Sequence, residues 1–209
     1  MIAVLDYGIG NLRSAEKALQ QVGADARLVT DPDEAARASG MVLPGVGAFG
    51  ACARALRRCG FDETVRDAVS RQVPFLGVCI GLQLLFEGSD EDPDADGLGI
   101  VAGTVRALPV SERRPQMQWN IVQRTGEAGR LLRRSEEWFY FVHSYVPVPA
   151  PDEVASGIVA GTCDYGGPMT AAIERGLLFG TQFHPEKSGR AGLALLDRFA
   201  VLCRPAAAA

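Results

Sequence analysis

Histidine is almost missing from this chain: among 209 residues there are two, His143 and His184. A reaction that needs an imidazole base has to use one of them. The five cysteines, Cys52, Cys59, Cys79, Cys163 and Cys203, form no Cys-x-x-Cys pair. Their number is odd, and a chain of this size does not need disulfide staples. The pattern points to free thiols in a reducing, cytoplasmic compartment and to no metal site. Positive charge is not in excess either. The formal charge of −4 argues against a nucleic-acid footprint, which needs a basic face. No apolar run reaches the ~18 residues expected of a membrane span. The longest charge-free stretches, 38–53 and 72–86, fall short and contain glycine and proline. The first residues, Met1 to Asp6, lack a basic lead and read as a strand, not a signal peptide.

The remaining composition is that of an ordinary globular chain, with 47% hydrophobic and 22% charged residues. The length suits one α/β domain with a sizeable core. Apolar runs at Ile2–Leu5, Arg27–Val29, Met41–Leu43 and Phe75–Val78 alternate with helical spacing such as Leu12, Ala15, Leu19 and Val22. That alternation predicts a mostly parallel central sheet flanked by helices. After Glu87 the texture changes. An acidic, turn-rich stretch, 88–97, leads into a β-rich half with strands expected at 100–106, 119–122, 138–142, 154–159, 169–173 and 177–179. A final helix is expected from Ser188 through Phe199. There is no internal repeat, so residues 1–204 form a single domain and the tail 205–209 is expected to fray.

The chemistry gathers at Gly77-Val78-Cys79-Ile80-Gly81, where a strand-length apolar run meets the helix-forming Leu82-Gln83-Leu84-Leu85-Phe86. A Gly-x-nucleophile-x-Gly turn between strand and helix lifts a reactive atom to the edge of a sheet. It also sets the sulfur near helix N–H groups that favour a thiolate. Taken alone, a buried packing cysteine satisfies the same pattern. Downstream, Gly176–Gly180 reads as a strand leading to His184-Pro185-Glu186. A cysteine nucleophile needs a base, and the base needs a carboxylate to orient it; His-x-Glu supplies both. Pro44-Gly45-Val46-Gly47 ends a neighbouring strand and is either a plain turn or a loop whose N–H groups face a ligand. Gly8-Ile9-Gly10 hints at a dinucleotide fingerprint, but Arg13 stands in place of its third glycine, so no nucleotide cofactor is expected.

Taken together, these runs resemble the class I glutamine amidotransferases and, within them, the glutaminase subunits of imidazole glycerol phosphate synthase. The resemblance rests on Asp6–Ser14, Leu43–Gly50, Gly77–Glu87, Trp119-Asn120, Tyr140–Tyr145, Asp164–Pro168 and Thr181–Gly189, and spans nearly the whole chain. It implies the amidotransferase fold, no cofactor, and a Cys79–His184–Glu186 triad that hydrolyses glutamine to glutamate and ammonia. It further implies an oxyanion site at Val46, Gly47 and Ile80, and glutamine contacts from Gly45, Gln83, Glu91, Ser144 and Tyr145. The implied partner is a (β/α)8-barrel cyclase that receives the ammonia and makes imidazole glycerol phosphate and an aminoimidazole carboxamide ribotide. Asn11, Met117, Gln118, Trp119, Asn120, Tyr140, His143 and Lys187 would lie at or near that interface; core packing is the other reading of Trp119. Gln116 and Gln118 depart from the family's usual Pro-His-Met-Gly-Trp-Asn. A paralogue serving another synthase, a non-catalytic module of the same fold and a stand-alone cysteine hydrolase are the competing readings.

Overall fold

The structure is a computed structural model and describes residues 1–127 and 129–204. The tail assigned to 205–209 lies outside the described residues. In chain order the elements are β1 (Ile2–Leu5), α1 (Leu12–Gln21), β2 (Ala26–Val29), α2 (Pro32–Ala36), β3 (Gly40–Gly45), α3 (Phe49–Arg58), α4 (Phe61–Ser70), β4 (Phe75–Cys79) and α5 (Ile80–Gln83). There follow β5 (Gly88–Ser89), β6 (Gly103–Ala107), β7 (Gln116–Arg124), β8 (Glu136–His143), β9 (Tyr145–Pro149), α6 (Pro151–Ala155), β10 (Val159–Asp164), β11 (Pro168–Arg175) and β12 (Leu178–Thr181). A 3₁₀ turn (Pro185–Lys187) and α7 (Gly189–Leu202) complete the described chain.

Nine strands make one mixed sheet in the order β2-β1-β3-β4-β12-β11-β10-β7-β8. The first five run parallel, and each pairing beyond β12 is antiparallel. Every residue of β1, β3, β4 and β12 is buried, which is why these strands read as unbroken apolar runs: helices cover both faces of a parallel sheet. Helix α1 packs on α7, while α2, α3 and α4 form a second packed group. Asp31 caps α2 by accepting the Asp33 N–H, with Pro32 in the first turn. Strands β5, β6 and β9 form a small second sheet.

Four expectations need correction. Pro44 and Gly45 continue β3 and pair with Val78 and Cys79, so the turn begins only at Val46. The helix after Cys79 is a single turn that stops at Gln83, because Leu84 to Phe86 send their backbone groups to Leu98, Gly99, Ile100 and Val101. The strand expected at 154–159 is displaced: 154 and 155 end α6, which Pro151 opens, a turn follows, and β10 begins only at Val159. The segment 145–149, not singled out as a strand, forms β9 against β6.

Candidate active site

Strands β3, β4 and β12 are neighbours and parallel, so their C-terminal ends emerge side by side. Ligands bind at that edge of an open α/β sheet. The centre strand delivers Cys79, β3 delivers Val46 and Gly47, and β12 delivers His184 three residues after its last position. Cys79 is held at φ 55, ψ −108, a conformation rarely adopted by a residue with a side chain. The sharp turn is possible because Gly77 and Gly81 lie against other backbone: a Cβ on Gly81 would sit 1.8 Å from the Leu43 carbonyl oxygen.

A cavity of about 280 Å³ opens there, lined by Val46, Gly47, Cys79, Ile80, Gln83, Glu91, Val142, His143, Ser144, Tyr145 and His184. All but Val142 carried a site or interface assignment from sequence. Gly45 lies beneath this rim, packed against Tyr7 and Ile80. Glu91 accepts the Phe49 N–H at 2.7 Å, tying the acidic loop to the start of α3. Gln83 donates from Nε2 to the Tyr145 carbonyl at 2.9 Å and to Gln182 Oε1 at 3.0 Å. Gln182, fully buried, reaches Cys79 Sγ from its own Nε2 at 3.6 Å. It had no sequence assignment; the one signal was a polar residue two positions before His184 in an apolar run.

His184 is buried, and its Nδ1 lies 2.8 Å from Glu186 Oε1. A carboxylate only accepts, so Nδ1 carries the proton and Nε2 is left for the cysteine. Burial pushes the imidazolium down, but Cys79 and Glu186 outweigh it and raise the pKa to about 9. Nε2 has no hydrogen-bond partner among the described residues and faces the cavity that Cys79 also lines. Because the folded value lies above the unfolded one, the stabilisation is fully present below about pH 6.5 and disappears as pH rises through about 9. Glu186→Gln is expected to move the His184 titration midpoint down from about 9 toward 6.5. A proton NMR titration of this two-histidine chain reads it directly, and an unmoved midpoint would remove Glu186 from that role.

The interface assignments separate into two groups. On β7 and β8, Met117 faces Val142, Trp119 faces Tyr140 and Ile121 faces Trp138. Directly opposed residues share a sheet face, and here that face is open: Met117, Trp119 and Trp138 are exposed, with Trp119 edge-on to Tyr140. Trp138 was not singled out as a site residue from sequence; its place two residues from Tyr140 in a strand was the available signal. Gln118 and Lys187 are exposed, and Asn120 donates to the Asp164 carbonyl. Asn11 bonds Ser14 and borders a small pocket shared with His184 and Glu186. His143, by contrast, is buried in the cavity wall and not on the open face. The Tyr140 carbonyl accepts the His184 N–H, and the Tyr140 N–H donates to Ser188 Oγ, so the open face is stitched to the histidine loop.

The family profile described as "Glutamine amidotransferase class-I" matches residues 3–203. The chain belongs to the class I glutamine amidotransferases. A crystal structure of a glutamine amidotransferase superposes with a TM-score of 0.75 at 20% identity, covering 97% of this chain and 98% of that one. The PurLQS structure from Thermotoga maritima gives 0.71 at 18%, covering 95% and 96%. Within the class, the chain is 45% identical over 202 residues to the imidazole glycerol phosphate synthase subunit HisH of Rhodopirellula baltica, covering 96% of this chain and 97% of that protein. It is 45% identical over 207 residues to that of Moorella thermoacetica, with 98% and 96% covered. It falls in the family of these synthase subunits. No helix among the described residues is long and apolar enough to cross a membrane.

Proposed function

We propose that the chain hydrolyses L-glutamine to glutamate and ammonia and passes the ammonia to a cyclase subunit that builds imidazole glycerol phosphate in histidine biosynthesis. The observation that carries the chemistry is the convergence of Cys79 and the His184–Glu186 pair on one cavity at the ends of adjacent strands. Cys79 Sγ attacks the side-chain amide carbon of glutamine. The negative charge on the tetrahedral oxygen is met by backbone N–H groups of Val46, Gly47 and Ile80. His184, which already holds the proton given up by the thiol, delivers it to the leaving nitrogen, releasing ammonia and leaving a thioester on Cys79. Water, activated by His184, then releases glutamate. Gln83 and Gln182 hold the nucleophile's surroundings, Gly45 underlies the rim, Glu91 takes the substrate's α-ammonium, and Ser144 and Tyr145 take its carboxylate. No cofactor is required. The five free thiols suit a reducing cytoplasm.

The partner we propose is a (β/α)8-barrel cyclase, docked on the aromatic face of β7 and β8 with Asn11 and Lys187 at its margin. Exposed tryptophans beside a half-buried tyrosine make one aromatic patch, and these residue types dominate binding energy at protein interfaces. The test is glutamate release by the chain alone and then with a histidine-pathway cyclase and its nucleotide ligand. Strong stimulation supports the reading; fast hydrolysis by the chain alone, unchanged by the cyclase, favours a stand-alone hydrolase. Trp119→Ala is expected to weaken cyclase binding by ~2 kcal/mol, about thirtyfold in Kd, with Trp138→Ala costing less. Titration calorimetry of the pair decides, and unchanged affinity in both variants moves the docking surface elsewhere.

A further inference from the structure

Gln116 opens β7 yet is fully buried, while Met117 and Gln118 beside it are exposed. Register sets it directly opposite His143, the last residue of β8, so both side chains project to the same inner face. Among the described residues, neither polar atom of the Gln116 side chain has a hydrogen-bond partner, and nor has His143 Nε2. Buried polar groups are nearly always paired, so two unpaired groups facing each other across a strand pair are an exception that needs a reason. Their chemistry is complementary. His143 Nδ1 lies 2.8 Å from the Tyr145 carbonyl oxygen, which fixes its proton there and leaves Nε2 as an acceptor. Burial lowers the pKa of this imidazole to about 4, so it is neutral at physiological pH. The Gln116 amide offers two donors.

From His143 a polar chain already runs to the nucleophile. The Tyr145 carbonyl that accepts from His143 also accepts from Gln83, Gln83 donates to Gln182, and Gln182 reaches Cys79 Sγ. We infer that Gln116 is a positioning residue: by rotation of its side chain its amide donates to His143 Nε2, completing a buried hydrogen-bonded path from the strand that carries Met117 and Trp119 to the Cys79 thiol. The inference rests on the proposed glutaminase reading and deepens it. A side chain with two arrangements, paired and unpaired, is the element through which events on β7 reach the catalytic cavity.

With only two histidines, nitrogen-15 labelling gives a simple spectrum. A through-bond nitrogen–nitrogen coupling between the Gln116 amide and His143 Nε2 is expected in the full chain, alone or with the cyclase, and its absence in both states overturns the proposal. Gln116→Met keeps the volume and removes the donors. It is expected to lower cyclase-stimulated kcat about tenfold with KM within twofold, and to shift His143 resonances but not those of His184. Gln116→His, which restores a polar group, is expected to recover most of kcat. Unchanged kcat in Gln116→Met overturns the positioning role. If that variant does not fold, the wild-type coupling decides alone. Absence of glutamate release by the wild-type chain would instead sink the glutaminase reading and leave the coupling result standing.

Discussion

Cys79→Ala is expected to remove glutamine hydrolysis, by about 10³-fold or more, while the protein stays folded. Without the sulfur no thioester forms, and what remains is substrate binding and a polarised carbonyl attacked slowly by water. The same site makes an opposite prediction for stability. Cys79 sits at φ 55, ψ −108 to aim its sulfur into the cavity. Such a conformation costs a residue with a Cβ ~1–3 kcal/mol. Alanine bears the same strain, so its urea midpoint should stay close to wild type. Cys79→Gly relieves the strain but frees the unfolded backbone, and the balance is a gain of about 1 kcal/mol. A variant more stable than wild type and without activity would identify the elbow as strain held for chemistry. Full activity in Cys79→Ala would end the covalent mechanism.

Gly81→Ala is expected to be among the most damaging single-methyl changes in the chain. The new Cβ would lie 1.8 Å from the Leu43 carbonyl oxygen and 2.9 Å from its carbon. Leu43 cannot retreat, because β3 lies between β1 and β4, paired on both sides. The elbow must therefore open or the sheet must separate, and the expected loss is ~4 kcal/mol, or failure to fold. Gly47 provides the contrast. It has φ +95, yet nothing lies within 4 Å of a Cβ built there. Gly47→Ala should therefore cost only ~1 kcal/mol, from backbone conformation alone. Urea unfolding of the two variants measures the difference, and equal losses would show that the close approach at Gly81 relaxes freely.

The parallel half of the fold was legible because its strands are buried on both faces and so announce themselves as apolar runs between amphipathic helices. The meeting of Cys79 with the His184–Glu186 pair at one cavity was legible for a related reason: Cys79 and His184 each close such a run, and the chain offers few histidines. Less was legible where local signals conflict. Val154 has strand character, but Pro151 starts a helix ahead of it, and the helix prevails for one turn. Leu82 to Phe86 reads as a helix by composition; Leu82 and Gln83 comply, but the carbonyls of Leu84 to Phe86 bond instead to residues 98–101, a long-range demand that no local pattern carries. His143 belongs to a run that marks it for function, and only the register of β7 against β8 reveals that its ring points inward, toward Gln116.

Strand β8 is the last strand of the nine-stranded sheet, and Trp138 stands on its open face. Its outer edge is covered at Tyr140, whose carbonyl and N–H bond to His184 and Ser188, but the aromatic surface beside it is an exposed apolar patch of the kind that invites unwanted association. Under the docking proposed above, copies made without the cyclase would keep that patch bare, so balanced production of the two subunits would protect solubility as well as flux.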